Sequence, residues 1–329
     1  MRQRDFLHIV LAGAALVGCQ AVSASPRAVP AQTTTPTSAS TRGEDRGPII
    51  DVHMHAYPAN VALAASLTNP ATGKALTVKD GEAHLQACLS EMKRLNIVKG
   101  VVSGGDGDRL AVAAHWRETA PDRIFAGAGV RGSAEIPLPD LRVLRKDFAD
   151  HRLRVLGEVS AMYAGLTLSD PKYDPYLSLA EEFDIPVSLH TGLGPPGISY
   201  DECCRNLRAS HGNPIWIEEA LNRHPKLRVN LMHGGWPYLQ ETIAVMKTYP
   251  QVYTDLGAID WILPRSEFHS YLQALVRAGL GKRIMFGSDQ MYWPEAIGMA
   301  VEAVDAATFL TPSEKRDIFH DNAVRFLKL

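Results

Sequence analysis

Two patterns of apolar and polar positions alternate along the chain. Eight short, nearly continuous apolar runs occur at PIIDVH (48–53), VKGVVSGG (98–105), RIFAGAGV (123–130), RVLGEVS (154–160), PVSLHTG (186–192), RVNLMHGG (228–235), VYTDLGA (252–258) and RIMFGSD (283–289). Such runs are expected of strands buried on both faces of a parallel sheet. Between them the apolar positions take helical spacing. In EAHLQACLSEMKRLN (82–96), Ala83, Leu85, Cys88, Leu89, Met92 and Leu95 share one side. Similar patterns occupy 108–120, 138–151, 176–183, 214–225, 238–250 and 268–279, and further helices begin near Pro294 and Thr311. Thr311-Pro312-Ser313-Glu314 combines a cap residue with proline at the first helical position. Eight such units predict one (β/α)8 TIM barrel over residues 47–329. A doubly wound open sheet would normally carry a glycine-rich phosphate turn after its first strand. Here that strand runs into His53-Met54-His55.

The first 46 residues have a different composition. Arg2 and Arg4 precede the apolar run FLHIVLAGAALVG, which is too short to span a bilayer. It ends in Leu16-Val17-Gly18-Cys19, which resembles a bacterial lipobox. This predicts a signal segment over 1–18 and a lipid on Cys19, with Gln20 mildly favouring an outer-membrane anchor. Residues 19–46 are rich in Ala, Ser, Thr and Pro and read as a flexible tether. The expected location is therefore the bacterial cell envelope, outer membrane or periplasmic face, with membrane contact through the lipid only. The chain of 329 residues is 46% hydrophobic and carries a formal charge of −2, so nothing points to nucleic acid as a partner. A small-molecule substrate is the expected partner, and a homo-oligomer is left open. Three cysteines beyond Cys19 are not a disulfide framework. Cys203 and Cys204 are read as two loop thiols or as one half of a bridge to Cys88.

The candidate chemistry lies in where histidines and acids fall. In a barrel, catalytic groups come from the C-terminal ends of strands. His53 and His55 end the first run, Glu158 the fourth, His190 the fifth, His233 the sixth and Asp289 the eighth. Residues i and i+2 of a strand share a face, so His53 and His55 can grip one cation together. Imidazole nitrogens and carboxylate oxygens suit Zn²⁺ first, with Mn²⁺ or Fe²⁺ compatible, at one or two ions per chain.

The stretches IIDVHMH, LGEVS, SLHTG, NLMHGG and MFGSDQMYWP resemble the amidohydrolase superfamily, in particular its amidohydrolase-related branch that includes aminocarboxymuconate-semialdehyde decarboxylase. The resemblance implies that His53, His55, His190 and Asp289 are metal ligands. It implies that His233 is a second-metal ligand or a polarising acid, and that Asp289 also accepts the proton of the attacking water. Glu158 resembles the strand-4 glutamate of TatD-type hydrolases. It is either a carboxylate spanning two ions or one that holds a ligand histidine in its tautomer.

The segment after the fifth run is the longest insertion and belongs at the catalytic mouth. Arg205, Arg208 and His211 are candidate contacts to an anionic substrate. Tyr57, Trp236, Trp261 and Trp293 lie just beyond strand ends and are candidate pocket walls. The expected function is a metal-dependent hydrolase of a C–N amide or a C–O ester or lactone, with Asp289 and His233 catalytic. The alternatives are a metal-dependent decarboxylase and a non-catalytic metal-binding envelope protein. The lipobox reading is testable directly. Mass spectrometry of the mature N-terminus should find a diacylated Cys19, and an unmodified protein cleaved elsewhere would remove the lipid anchor.

Overall fold

The computed structural model describes residues 47–104, 109–134 and 136–329. The signal segment, the tether and Cys19 lie outside the described residues. Eight strands form one sheet in the order β1 to β8, and every adjacent pair is parallel. They are β1 (Ile49–Ala56), β2 (Ile97–Gly104), β3 (Ile124–Val130), β4 (Val155–Val159), β5 (Val187–Leu189), β6 (Val229–Leu231), β7 (Val252–Asp255) and β8 (Ile284–Met285). The intervening helices are α1 (Gly81–Arg94), α2 (Arg109–Thr119), α3 (Leu141–Ala149), α4 (Asp174–Glu182), α5 (Glu218–Arg223), α6 (Leu239–Thr248), α7 (Ile259–Ile262) and α8 (Arg265–Arg277). After β8 come α9 (Glu295–Asp305), α10 (Pro312–Arg316) and α11 (Asn322–Leu327). This is the expected TIM barrel.

Local signals account for the element ends. Asp80 caps α1 by accepting from the Ala83 N–H at 2.8 Å, with Glu82 in the first turn and Lys93 and Arg94 in the last. All three charges complement the helix dipole. Thr311 and Glu314 form a reciprocal capping box at α10. Ile50, Val52, Val101, Val155 and Met285 pack with Ala323 and Phe326 of α11 in one apolar cluster. The main core fills the layer between strands and helices.

Three strands stop short of the ligand candidate that follows them. β5, β6 and β8 stop at Leu189, Leu231 and Met285, so His190, His233 and Asp289 sit beyond them. The reason is that the main chain turns to other partners. Residues 232–235 make a tight turn in which His233 has a φ of 62°, a left-handed value uncommon for a residue with a side chain. After β8 the chain follows β1. Val52 N–H donates to Phe286 O at 3.0 Å, and Asp289 N–H donates to His53 O at 2.7 Å. One step on, the Gln290 side chain takes over: its Oε1 accepts from His55 N–H at 3.1 Å and its Nε2 donates to His55 O at 2.8 Å. These bonds close the seam of the barrel.

α1 buries an ionisable group against this wall. His84 is fully buried, edge-on to Tyr57 with ring centroids 5.2 Å apart, and Nε2 lies 3.7 Å from Cys88 Sγ. Burial pushes its imidazole from 6.5 down to about 4, against a hydrogen bond to the Met291 backbone. The unfolded chain therefore binds this proton more readily than the folded one. The stabilisation from neutral His84 is complete above about pH 6.5 and is lost as pH falls toward about 4, on the order of 3 kcal/mol. Denaturant titrations over that window should show a shallower pH dependence in His84→Leu than in the native chain. Parallel profiles would show that His84 is not a source of acid sensitivity.

Candidate metal centre

The register of β1 against β2 shifts between Asp51 and Met54, and beyond that irregularity His53 and His55 point together into the barrel mouth. All six predicted ligands converge there. His55 Nε2 lies 3.0 Å from Asp289 Oδ1 and 3.3 Å from Glu158 Oε2. His53 Nε2 lies 3.7 Å from Asp289 Oδ1. Glu158 Oε1 is 2.5 Å from His190 Nδ1, and His233 Nε2 is 3.1 Å from that same His190 nitrogen. Three overlapping groups have ligand atoms within 4.8 Å of one another: His53, His233 and Asp289; His53, His55 and Glu158; Glu158, His190 and His233.

Behind the ligands stands Asp255 at the end of β7, which the strand-end argument applied to the other runs did not pick out. It is fully buried. Its Oδ1 accepts from the His233 and Gly257 N–H groups, each at 3.0 Å, and its Oδ2 accepts from Asn230 Nδ2 at 2.7 Å. His53 Nδ1 lies 3.3 Å from Asp255 Oδ2 and 3.4 Å from Oδ1. The sequence signal was available in VYTDLGA, an acid ending a buried run. Gly257 and Gly287 make room for the same ring. A Cβ on Gly257 would sit 2.6 Å from His53 Nδ1, and one on Gly287 would sit 2.7 Å from His53 Cβ.

The hydrogen bonds set which nitrogens face inward. A carbonyl only accepts, so the 3.0 Å contact of His233 Nδ1 with Gly257 O places the proton on Nδ1 and leaves the Nε2 lone pair facing the site. His190 Nε2 lies 3.3 Å from Leu193 O, which by the same logic turns the Nδ1 lone pair inward. With the Asp255 carboxylate behind Nδ1, His53 presents Nε2. That nitrogen is buried and makes no hydrogen bond, and neither does Asp289 Oδ1, whose contact with His55 is not aligned as one. Acceptors that face one another without hydrogens between them suit a cation.

Electrostatics point the same way. Burial opposes the charge on Asp289, yet His53 and His55 outweigh it and hold the carboxyl at about 2. Burial likewise opposes the charges on Glu158 and Asp255, but His190 draws the first well below the usual carboxylate range and His53 lowers the second. Burial disfavours the His53 imidazolium, but Asp289 and Asp255 overcome it and raise the group to about 10. Burial, with His190 and His53, pushes His233 down to about 4. Three acids held ionised at one mouth, with the neutral His233 beside them, make a site that attracts positive charge. The donor set of imidazole nitrogens and carboxylate oxygens fits a divalent metal.

The family model described as amidohydrolase matches residues 50–329. The chain belongs to the amidohydrolase family. Protein fluG of Emericella nidulans is 30% identical over 115 residues, a match that spans 35% of this chain and 12% of the length of that curated relative. Among solved structures, a probable 2-pyrone-4,6-dicarboxylic acid hydrolase of Acinetobacter baumannii, with citric acid bound, superposes with a TM-score of 0.61. It is 16% identical, over 86% of this chain and 100% of that one. A 5-carboxyvanillate decarboxylase of Novosphingobium aromaticivorans, complexed with manganese and a nitrobenzoic acid, gives a TM-score of 0.56. It is 14% identical, over 85% and 96% of the two chains. At these identities the likeness concerns the fold.

The mouth of this amidohydrolase differs from expectation in one covalent respect. Cys203 and Cys204 are bonded to each other, while Cys88 is free and buried. Neither two free thiols nor a bridge to Cys88 is present. Cys88 sits on α1 beside His84 and Gln290, whereas the pair lies in the loop after β5, packed near Met162 and Tyr163. Arg205 is exposed beside Glu202 at 3.8 Å, and Arg208 bonds the carbonyls of Arg205 and Leu207. His211 is partly buried, with Nδ1 lacking a partner among the described residues. Trp236 follows His233 and is partly buried against the core. Tyr57 and Trp261 are buried: Tyr57 stacks on Tyr292, and Trp261 Nε1 donates to Ser288 O at 2.8 Å. Trp293 is buried edge-on to Trp261.

Asp255 should matter to metal affinity without touching the metal. Asp255→Asn keeps the shape but removes the charge behind His53. Chelator competition should show metal bound about tenfold or more weaker, with the helical circular dichroism signal kept. Unchanged affinity would separate Asp255 from the centre.

Proposed function

We propose that this amidohydrolase is a metal-dependent hydrolase that cleaves a C–N amide or a C–O ester or lactone bond of a small molecule. The observation that carries the reading is geometric: Asp289 Oδ1 is a buried carboxylate oxygen at the mouth with no hydrogen-bond partner among the described residues, so the chain offers a proton acceptor there. Hydrolysis needs an acceptor for the proton of water. His53, His55, His190 and Asp289 would hold a divalent ion, with Glu158 and His233 adjoining. Zn²⁺ fits this donor set, as do Mn²⁺ and Fe²⁺. Such an ion would supply a Lewis acid and a water more acidic than bulk.

The chain's own residues divide the remaining work. Asp289 Oδ1 is the acceptor with no aligned hydrogen bond, so it can receive a proton there. The left-handed φ of 43° at Asp289 is held by the bond from its N–H to His53 O, which keeps the carboxylate between β1 and the His233 ring. His233, neutral with Nε2 facing inward, is suited to bind or to accept rather than to donate. The envelope location and the lipid at Cys19 belong to the same proposal and rest on the N-terminal sequence.

Decarboxylation is the second reading, because 5-carboxyvanillate and 2,6-dihydroxybenzoate decarboxylases share the fold. It would need a proton delivered to carbon, whereas the Asp289 Oδ1 at this mouth is placed to accept one. Turnover of an amide, ester or lactone library in ¹⁸O-labelled water should place one labelled oxygen in the product and release no carbon dioxide. Carbon dioxide released in step with product from a carboxylated compound would move the enzyme to the lyases.

A further inference from the structure

One cation at the mouth is held in place but has no acid opposite it among the described residues. Arg131 directly follows β3, at the end of the barrel that carries the metal centre. Its guanidinium carbon lies 4.8 Å from the centre of the Tyr163 ring. Its Nε donates to Ser160 Oγ at 3.4 Å, and its Nη1 points to Cys204 Sγ at 3.9 Å. Ser160 follows Glu158 by two positions, and the Tyr163 ring meets the His190 ring edge-on at 5.1 Å. The guanidinium is therefore one aromatic ring away from a metal ligand. No carboxylate pairs with it among the described residues, whereas Arg145, Arg223 and Arg228 each have one. The acids Glu158 and Asp289 face the imidazoles of His190 and His55.

A partly buried, always-charged group with no counter-ion among the described residues is costly unless something supplies the missing charge. Its supports define what that is. The Tyr163 face, Ser160 and the Cys203–Cys204 disulfide fix the plane of the fork through its Nε and Nη1 side. A planar fork of this kind matches a carboxylate. Arg205 and Arg208, the sequence candidates for this role, face solvent or their own loop.

We propose that Arg131 is the specificity-determining residue of this site, seated on Tyr163 and the vicinal disulfide, and that it takes a carboxylate of the substrate at the end remote from the scissile bond. The identification of that ligand as substrate rests on the hydrolase reading above, but the test does not use turnover. Benzoate and its neutral analogue benzamide are titrated calorimetrically into the metal-loaded full chain. Benzoate should bind, and benzamide should bind about tenfold or more weakly. Arg131→Gln should weaken benzoate by about tenfold or more with metal content unchanged, and Arg131→Lys should fall between the two. Should Arg131→Gln fold poorly, the Cys203→Ala/Cys204→Ala double variant probes the same seat and should weaken benzoate several-fold. Equal benzoate affinity in the native chain and Arg131→Gln would place the anion on the metal and overturn the proposal. So would benzamide binding as tightly as benzoate, and a double variant that binds like the native chain would remove the disulfide from the seat. Failure here leaves the oxygen-labelling result intact. A failed oxygen label with these affinities retained would instead leave a carboxylate subsite in a different enzyme.

Discussion

A carboxylate buried at the end of β7 organises the metal centre from behind. Asp255 accepts the backbone N–H of His233 and of Gly257 through one oxygen and the Asn230 amide through the other, while facing the ring of His53. It thereby links β1, β6 and β7 through one side chain. Its charge is stable without solvent because each oxygen has donors and His53 lies alongside. The turn that aims His233 inward places that residue at a left-handed φ, a conformation that persists only where its surroundings hold it. The bond from His233 N–H to Asp255 is part of that hold. Ligand orientation, tautomer and backbone strain at this centre thus meet in one side chain that is not itself counted among the candidate ligands.

Much of this was legible in the sequence because barrel strands are apolar runs and their last residues are the ones that can be polar. His53, His55, Glu158, His190, His233 and Asp289 all break such runs, and all six meet at one mouth. Asp255 breaks its run in the same manner, but its place behind the His53 ring depends on a contact between β7 and β1 that a run ending does not show. What the pattern could not show is the seam. Asp289 and Gln290 lie beyond a two-residue strand, and their backbone geometry depends on β1, far away in sequence. Periodicity reports local burial, and contacts between the first and last strands leave no local trace.

The mouth loops were the least readable part, for a related reason. Loop residues there carry no period, so charge and aromaticity were the guides, and both are ambiguous at a surface. Tyr57 and Trp261 are occupied by Tyr292 and Ser288 within the fold. Arg131 ends a strand run and offered no motif of its own. The Cys203–Cys204 bond is not the pairing the sequence suggested, and Cys88 is out of reach of that loop. It is locked under α1, against Gln290.

The side-chain amide of Gln290 stands in for a peptide group, offering His55 one donor and one acceptor as a ninth strand would. That makes the closure of the barrel and the posture of a metal ligand a single structural event. An ion bound by His55 and Asp289 would clasp the first strand to the last. By mass action, any ligand that binds only the closed form deepens the native well in proportion to the logarithm of its free concentration. The metal would then act as a rivet across the one joint where this cylinder lacks a continuous strand pair. Metal supply in the surroundings would set how tightly the first and last strands stay clasped, independently of whether any substrate is present.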